Sequence, residues 1–304
     1  MSGLRPFALH RAESVEEASR LVAERGDEAM LYAGGTELLL LLKLGFVRPR
    51  WLIDVKRVPG LGEIAARDGD LVIGATVTHR QVERSPVARA LCPLVAGVAR
   101  HVANVRVRSV GTVGGNLAFA DPHSDLATLF LAFDARVTLQ SAAATRELPL
   151  ADFVLGSYET ARRDEELLTQ ARLRPWPAGA AGAYVKFGVH ERPTLGVAVA
   201  LFPNGGPGRV GAARVALGCV GPRPERLGRV EDALRGCDPE EIGRRAGELG
   251  ALAAEQADPA DDLHGSAEYK RDMTRVFTER ALALAAARMQ GRSPDARYPH
   301  AVVV

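Results

Sequence analysis

Two glycine-rich segments are the parts of this sequence best suited to chemistry. The first, residues 33–38, is Ala-Gly-Gly-Thr-Glu-Leu, and the second, residues 111–116, is Gly-Thr-Val-Gly-Gly-Asn. Glycines let backbone N–H groups converge on a ligand because no Cβ stands in the way. The first segment also opens a predicted helix, whose N-terminus favours an anion. Two such loops suit a diphosphate, and we expect a Cβ at Gly35 or Gly114 to intrude on the phosphate's space.

Neither segment is a complete nucleotide-binding motif on its own. Neither ends in Gly-Lys-Ser/Thr as a P-loop does, and neither is the Gly-x-Gly-x-x-Gly of a dinucleotide-binding unit. Glycine supplies 31 of the 304 residues, so a single Gly-Gly pair arises easily by chance and is more often structural. The functional interpretation therefore depends on the two segments occurring together with their flanks.

The sequence contains no recognisable catalytic set and no metal-binding motif. There is no Gly-x-Ser-x-Gly, and the histidines lack HxxxH or HExxH spacing. Cys92, Cys219 and Cys237 form no CxxC pair, so they hold no iron–sulfur cluster and fit a reducing compartment. We therefore predict no catalytic side chain and no metal ligand in this chain.

Charge and hydropathy exclude several classes of partner. Lys and Arg number 39 and Asp and Glu 37, so the formal net charge of +2 argues against nucleic acid as the main partner. The longest apolar run, residues 38–42, ends at Lys43, whereas a membrane span needs roughly 20 residues. With no signal-peptide pattern at residues 1–20, a cytoplasmic protein is expected.

The elements that must position the two segments start with an α/β unit at the N-terminal end of the chain. Residues 1–55 are predicted to run αβαβ, with a strand at 29–33 and a helix at 37–44 on either side of the first segment. The next predicted elements are a hairpin at 62–75, helices at 78–83 and 87–102, and strands at 136–139 and 167–173. After a Pro- and Gly-rich linker, the predicted elements are strands at 184–189, 195–202 and 209–220 and helices at 224–234, 239–256 and 267–289. The tail after Gly291 is predicted to be irregular.

In this setting the sequence resembles the FAD-binding (medium) subunits of the molybdenum hydroxylases, the family of carbon monoxide dehydrogenase medium subunits and xanthine dehydrogenase FAD domains. The resemblance is carried, in family order, by AGGTELLLLLKLG at 33–45, RSVGTVGGNLAFADPHSDLATLFLAFDA at 108–135, YVKFG at 184–188 and HGSAEYKRDMTRVFTERAL at 264–282. The sequence departs from the family at Ser109, where an Asn is usual, and at Thr194, where many relatives have an acidic residue.

The resemblance implies an α+β fold. A two-subdomain FAD-binding module, a small αβ unit plus a larger α+β unit, is followed by a C-terminal domain with a three-stranded antiparallel sheet and helices. The expected bounds are 1–57 for the first subdomain, 58–176 for the second, 177–290 for the C-terminal domain and 291–304 for the tail.

The resemblance also implies a noncovalently bound FAD between the two subdomains. The implied first-loop residues are Ala33, Gly34, Gly35, Thr36, Glu37 and Leu38, and the implied second-loop residues are Thr112, Gly114, Gly115 and Asn116. Asp125, with Ser124 beside it, corresponds to a family aspartate at the ribityl or adenosine part of FAD. Leu168 corresponds to an apolar residue near the flavin, and Lys186 to a lysine near the cofactor in some members.

The function implied is electron transfer within a heteromeric enzyme. A large subunit with the molybdenum cofactor oxidises the substrate, a small subunit with [2Fe-2S] clusters delivers the electrons, and FAD passes them to an external acceptor. A dimer of heterotrimers is the assembly that we expect. The alternatives are a stand-alone flavin oxidase and a flavin-free structural or assembly subunit.

Several side chains near the loops have two interpretations on sequence grounds. Glu37 is either a first-turn acid that complements the helix dipole or a cofactor contact. Asp121 precedes a proline and is most simply a turn former, and His123 is interpreted as an exposed loop histidine rather than a cofactor neighbour. Arg106 and Arg108 either neutralise phosphate charge or pair with surface acids, with equal weight.

Overall fold

The small α/β unit at the start of the chain is built around a three-stranded parallel sheet. The computed structural model describes residues 5–188, 192–204 and 208–304. The strands are β1 (Ala8–Arg11), β2 (Ala29–Tyr32) and β3 (Trp51–Asp54) in the order β1-β3-β2, and the helices are α1 (Val15–Arg25) and α2 (Leu38–Leu44). A 3-10 turn, Gly26–Glu28, leads into β2. The unit thus runs βαβαβ: the αβαβ prediction missed β1, whose four residues alternate between half-buried and exposed and form no apolar run.

The second unit is an antiparallel sheet with helices packed on it. Its strands β4 (Ile64–Arg67), β5 (Asp70–Gly74), β6 (Arg136–Gln140), β7 (Thr145–Pro149) and β10 (Leu167–Leu173) pair in the order β4-β5-β10-β6-β7. Two short strands, β8 (Val154–Gly156) and β9 (Glu159–Thr160), form a separate hairpin. Its helices are α3 (His79–Arg84), α4 (Pro86–Leu91), α5 (Pro93–Ala99), α6 (Val105–Val110), α7 (Val113–Phe119), α8 (Asp125–Leu131) and α9 (Leu150–Phe153).

One predicted helix in this unit is two helices. The prediction for 87–102 was wrong because Pro93 lacks the N–H that a continuous helix needs, so α4 ends at Leu91 and α5 starts at Pro93. Two prolines at the N1 positions of short helices, Pro86 and Pro93, fix these breaks.

The C-terminal unit contains a five-stranded antiparallel sheet, with two strands more than predicted. Its strands are β11 (Ala181–Phe187), β12 (Leu195–Pro203), β13 (Val210–Gly218), β14 (Glu225–Arg226) and β15 (Ala301–Val303), in the order β14-β13-β12-β11-β15. The helices are α10 (Gly228–Leu234), α11 (Pro239–Gln256) and α12 (Ala267–Met289). Val189, the predicted end of the first of these strands, lies outside the described residues.

The prediction of an irregular tail was wrong at its end. Residues Ala301–Val303 pair with β11, and Val304 exchanges backbone hydrogen bonds with Tyr184. Three residues are too few to show a strand period, so only the partner strand reveals the pairing.

The buried core joins the units across the sheets. The largest cluster, which includes Leu71 and Phe130 of the second unit, also contains Tyr184, Ala198 and Ala216 of the C-terminal sheet. A second cluster fills the space between the C-terminal sheet and α10 to α12, and a third lies under the parallel sheet. In the described residues, no helix combines the length and apolar character needed to cross a bilayer.

Candidate functional site

The two glycine-rich segments line one cleft. Its volume is about 770 Å³, within the roughly 300–1,000 Å³ of ligand pockets in proteins. Of the residues singled out from the sequence, those that line the cleft are Ala33, Gly34, Gly35, Thr36, Glu37, Leu38, Thr112, Gly114, Gly115, Asn116, Ser124, Asp125 and Leu168. Lys186 does not line it. The structure therefore gathers residues from positions 33 to 168 around one space.

The two loops touch directly at Gly34. A Cβ built on Gly34 would overlap the carbonyl oxygen of Val110 and lie 2.9 Å from Cα of Gly111. The Cγ2 atom of Thr36 lies 3.5 Å from the position of a Cβ on Gly111. Because a side chain at residue 34 would push the loops apart, glycine there is a requirement of their packing.

The first loop presents backbone donors to the cleft. Gly35 has φ +73°, and the chain then turns into α2 with Leu39 N donating to Gly35 O at 3.0 Å. Ahead of that bond, the amides of Gly35, Thr36 and Glu37 donate to no acceptor in the described part of the chain. Unpaired N–H groups at a helix N-terminus are suited to an oxyanion.

The amides of the second loop are already used by the protein. Val113 N donates to Val77 O at 2.8 Å, Gly114 N to Ala75 O at 2.9 Å, and Gly115 N to Oγ1 of Thr112 at 3.1 Å. The expectation that both loops offer free amides is therefore wrong for residues 113–115. What the second loop brings to the cleft is side chains: Asn116 accepts a hydrogen bond at Oδ1 from Ser124 Oγ at 2.7 Å.

A Cβ at Gly114 or Gly35 would meet protein atoms, so the expected intrusion into the phosphate's space is wrong. A Cβ on Gly114 would lie 2.5 Å from Cβ of Ala75, and a Cβ on Gly35 would lie 2.5 Å from Cε2 of Tyr32. Both positions point at protein atoms rather than at a phosphate site. Gly114 is needed because α7 packs closely on the end of β5, and Gly35 because of its left-handed backbone.

Asp125 is fixed at the cleft by two buried partners. Its Oδ2 lies 2.7 Å from Nζ of Lys186, and its Oδ1 accepts from Tyr184 Oη at 2.8 Å. The side chains of Asp125 and Lys186 are each 3% exposed, and Lys186 Nζ also donates to His101 O at 3.1 Å. Burial, together with the negative charge of Asp125, raises the pKa of Tyr184. Lys186 thus lies behind Asp125 and orients a carboxylate that lines the cleft.

Arg192 joins three distant parts of the chain at the cleft. Its Nη2 lies 3.0 Å from Oε2 of Glu37, and its Nε donates to Oδ2 of Asp121 at 2.7 Å. Glu37 belongs to the first loop, and Asp121 follows the second. Sequence reasoning missed Arg192 because its partners lie 155 and 71 positions away, with no local spacing to reveal them.

His123 is not the exposed loop histidine that was predicted. Its side chain is 10% exposed; Nδ1 donates to the carbonyl of Pro193 at 2.7 Å, and Nε2 lies 3.3 Å from Oδ2 of Asp262. Its ring also packs against His264, with ring centroids 4.4 Å apart. Asp121 acts as the turn former that was predicted, since its Oδ1 accepts from His123 N at 2.9 Å.

Comparison with known proteins assigns the chain to a family. Residues 5–176 match the model of the FAD binding domain in molybdopterin dehydrogenase, and residues 189–285 match the CO dehydrogenase flavoprotein C-terminal domain. The carbon monoxide dehydrogenase medium chain of Hydrogenophaga pseudoflava is 34% identical over 93% of this chain and 98% of its own length. The chain belongs to the FAD-binding medium subunits of the molybdenum hydroxylases.

Solved structures share this fold over nearly the whole chain. A chain of carbon monoxide dehydrogenase from Hydrogenophaga pseudoflava superposes with a TM-score of 0.88 at 34% identity, covering 94% of this chain and 99% of that chain. A chain of quinoline 2-oxidoreductase from Pseudomonas putida 86 gives 0.87 at 31% identity, covering 95% and 99%. The α+β fold and the order of FAD-binding and C-terminal domains are therefore confirmed, and the chain is an oxidoreductase subunit that binds FAD.

The residues of the cleft fit this cofactor. Three unpaired amides of the first loop match the acceptor oxygens of a diphosphate, and the cleft volume suits a ligand of this size. Asn116 and Ser124 add polar side chains. In the described residues, no group of His, Cys, Asp or Glu side chains is arranged to hold a metal ion.

His79 is a second cleft residue that sequence reasoning missed. It is 3% exposed, and its Nδ1 is buried without a hydrogen-bond partner in the described part of the chain. Burial, with a smaller contribution from the charge of Arg108, lowers the pKa of His79 to about 4. A local signal was present: Thr78 and Gln81 form a capping box that fixes His79 at the first position of α3.

The low pKa of His79 predicts a pH-dependent stability of the apoprotein. The ordinary value is about 6.5, so between pH 6.5 and about 4 the unfolded chain binds a proton that the folded chain does not. His79 then lowers the free energy of unfolding as pH falls through this window, by up to about 1.4 kcal/mol per pH unit. The free energy of unfolding, measured with urea at several pH values from 4.5 to 7.5, should fall less steeply with decreasing pH for His79→Asn than for wild type. Parallel slopes would contradict a neutral, buried His79.

Proposed function

We propose that this chain is the FAD-carrying electron-transfer subunit of a heteromeric molybdenum hydroxylase. The observation that carries the proposal is the cleft in which the unpaired amides of Gly35, Thr36 and Glu37 lie beside the second loop. When bound there, FAD supplies the redox chemistry that links [2Fe-2S] clusters of a partner subunit to an external electron acceptor. The protein's own part is to bind the cofactor, orient it and set the charge around it.

We propose the following roles for the cleft residues. The first-loop amides bind the diphosphate, while Gly114 packs against Ala75 and Thr112 caps Gly115 N so that the second loop keeps its shape beside the first. Asn116, Ser124 and Asp125 face polar parts of FAD, and Leu168, 7% exposed, provides an apolar wall. Lys186 contributes through Asp125 rather than by touching the cofactor, because the buried ion pair between them fixes the carboxylate. The FAD-binding subdomains would be residues 1–57 and 58–176, and the C-terminal domain 177–290.

We also propose the partners: an iron–sulfur small subunit and a large subunit with the molybdenum cofactor, assembled as a dimer of heterotrimers in the cytoplasm. A relative supports this proposal: the 6-hydroxypseudooxynicotine dehydrogenase complex subunit alpha of Paenarthrobacter nicotinovorans, 32% identical over 90% of this chain and 92% of its own length, has a name that describes a complex.

A cofactor titration tests the cofactor part of the proposal. Protein purified under mild conditions and supplied with FAD should show flavin absorbance with about one FAD per chain. After denaturation and filtration, the yellow colour should pass through the filter because we propose that the cofactor is held noncovalently. Absence of binding would favour the flavin-free structural subunit, and colour retained on the polypeptide would point to a covalent flavin oxidase.

Purification of the native complex tests the partner part. A tagged chain expressed with its chromosomal neighbours should elute with two further polypeptides and with iron and molybdenum. A chain that elutes alone, binds FAD and oxidises a substrate with oxygen would instead support the stand-alone oxidase.

A further inference from the structure

Two carboxylates lie at the cleft beside the loop that we propose binds the diphosphate. The backbone amide of Glu37 is one of the unpaired donors of the first loop, and its side chain adds a carboxylate at the same place. Asp121, 8% exposed, brings a second carboxylate to the cleft lining. A diphosphate carries negative charge, so uncompensated carboxylates at this position would oppose its binding.

Arg192 is the cation that pairs with both carboxylates. It lies 3.0 Å from Glu37 and 2.7 Å from Asp121, and each bond joins an ionised donor to an ionised acceptor. Its side chain is 40% exposed, so it sits at the rim of the cleft rather than in the core.

Other cationic groups of the cleft do not perform this task. The arginines that line it in the described chain are Arg48, Arg162 and Arg192. Nη1 of Arg162 donates hydrogen bonds to the backbone carbonyls of Arg163, Asp164 and Glu166. Arg48 forms no ion pair in the described residues, and Lys186 neutralises Asp125 from behind the cleft. Glu37 and Asp121 therefore depend on Arg192.

The backbone around Arg192 holds it in place. The next residue, Pro193, accepts a hydrogen bond from Nδ1 of His123 at 2.7 Å, and His123 N donates to Oδ1 of Asp121 at 2.9 Å. Both oxygens of Asp121 are thus engaged, one by His123 and one by Arg192. The C-terminal domain is anchored at the two loops by this set of bonds.

We infer that Arg192 is a charge-balancing residue of the cofactor site: by pairing with Glu37 and Asp121 it reduces their combined negative charge by one unit, so that the first loop can bind an anionic diphosphate. The inference rests on the proposed FAD cleft. It assigns Arg192 no direct contact with FAD, and this makes it separable from a simple phosphate-binding arginine.

A double-mutant cycle tests the inference on the full-length apoprotein. Equilibrium dialysis would measure the FAD dissociation constant for wild type, Arg192→Gln, Glu37→Gln/Asp121→Asn and the triple variant. In the wild-type background, Arg192→Gln should weaken FAD by roughly tenfold to a hundredfold, because it leaves two carboxylates uncompensated. In the background without the carboxylates, the same change should alter the dissociation constant by no more than about threefold. Arg235→Gln, which removes an exposed ion-paired arginine of α10's end, is the matched control and should bind as wild type.

Three outcomes would overturn the inference. An equal loss of affinity in both backgrounds would show that Arg192 touches FAD itself. Wild-type affinity of Arg192→Gln, with a lowered melting temperature, would show a purely structural link between domains. A loss that added salt fails to reduce would also contradict it, since screening weakens repulsion between charges. If wild type itself binds no FAD, the proposed function fails, and that result is distinct from all three.

Discussion

Replacing Gly34 with valine is expected to abolish FAD binding and to lower the free energy of unfolding by about 3 kcal/mol. A Cβ at this position would overlap the carbonyl oxygen of Val110, and backbone cannot move aside as a flexible side chain can. The two loops must then separate, and the cleft between them loses its shape. Urea unfolding and FAD titration of the same preparation measure both effects.

Two further variants keep this test interpretable. Gly34→Ala adds only the Cβ, so it should shift both quantities in the same direction while the protein stays folded by circular dichroism. Gly243→Val is the matched control because a Cβ on this α11 glycine meets no atom within 4 Å. We expect it to leave FAD affinity unchanged. Wild-type affinity of Gly34→Ala would show that the loops need not touch to bind the cofactor.

Replacing Lys186 with methionine is expected to destabilise the protein by about 3–5 kcal/mol. Lys186 and Asp125 are each 3% exposed, and removing the cation leaves a buried carboxylate with Tyr184 as its remaining side-chain partner. A weaker FAD affinity should accompany the loss, because Asp125 lines the cleft and would lose its fixed orientation. Denaturant unfolding and dialysis against FAD measure the two effects.

A second substitution shows whether the unpaired charge of Asp125 is what destabilises Lys186→Met. Lys186→Met with Asp125→Asn removes both charges, so it should recover most of the stability that Lys186→Met alone loses. Arg235→Met breaks the exposed pair of Arg235 and Asp232, whose side chains are 65% and 67% exposed, and should change stability by less than about 1 kcal/mol. If the double variant is no more stable than Lys186→Met, an unpaired buried charge is not the cause.

The ends of two helices were predicted correctly from the local sequence. The helices predicted at 239–256 and 267–289 match α11 and α12 at both ends. Asp238 and Ser266 cap their first turns through side-chain oxygens that accept from Glu241 N and Tyr269 N. Such caps act over three residues, so the chain itself carries the signal.

The candidate site was identified from the two glycine-rich segments together with the resemblance to the family. The glycines at 34, 35, 114 and 115 indicated the loops, the resemblance implied further residues such as Asp125, and thirteen of the predicted residues line the cleft. Their physical roles were only partly foreseen. The first loop does present free amides, but the amides of the second loop donate to Val77, Ala75 and Thr112 of the protein itself.

The sequence by itself determined the two glycine loops and helices such as α11 and α12, because helix caps and glycine turns depend on neighbours within a few residues. Only the tertiary structure decided which side chains complete the site. Arg192 reaches Glu37 across 155 positions, and Lys186 reaches Asp125 across 61. The strand Ala301–Val303 exists because β11 offers it an edge. Contacts of this kind arise when remote segments are packed together, so no spacing along the chain encodes them.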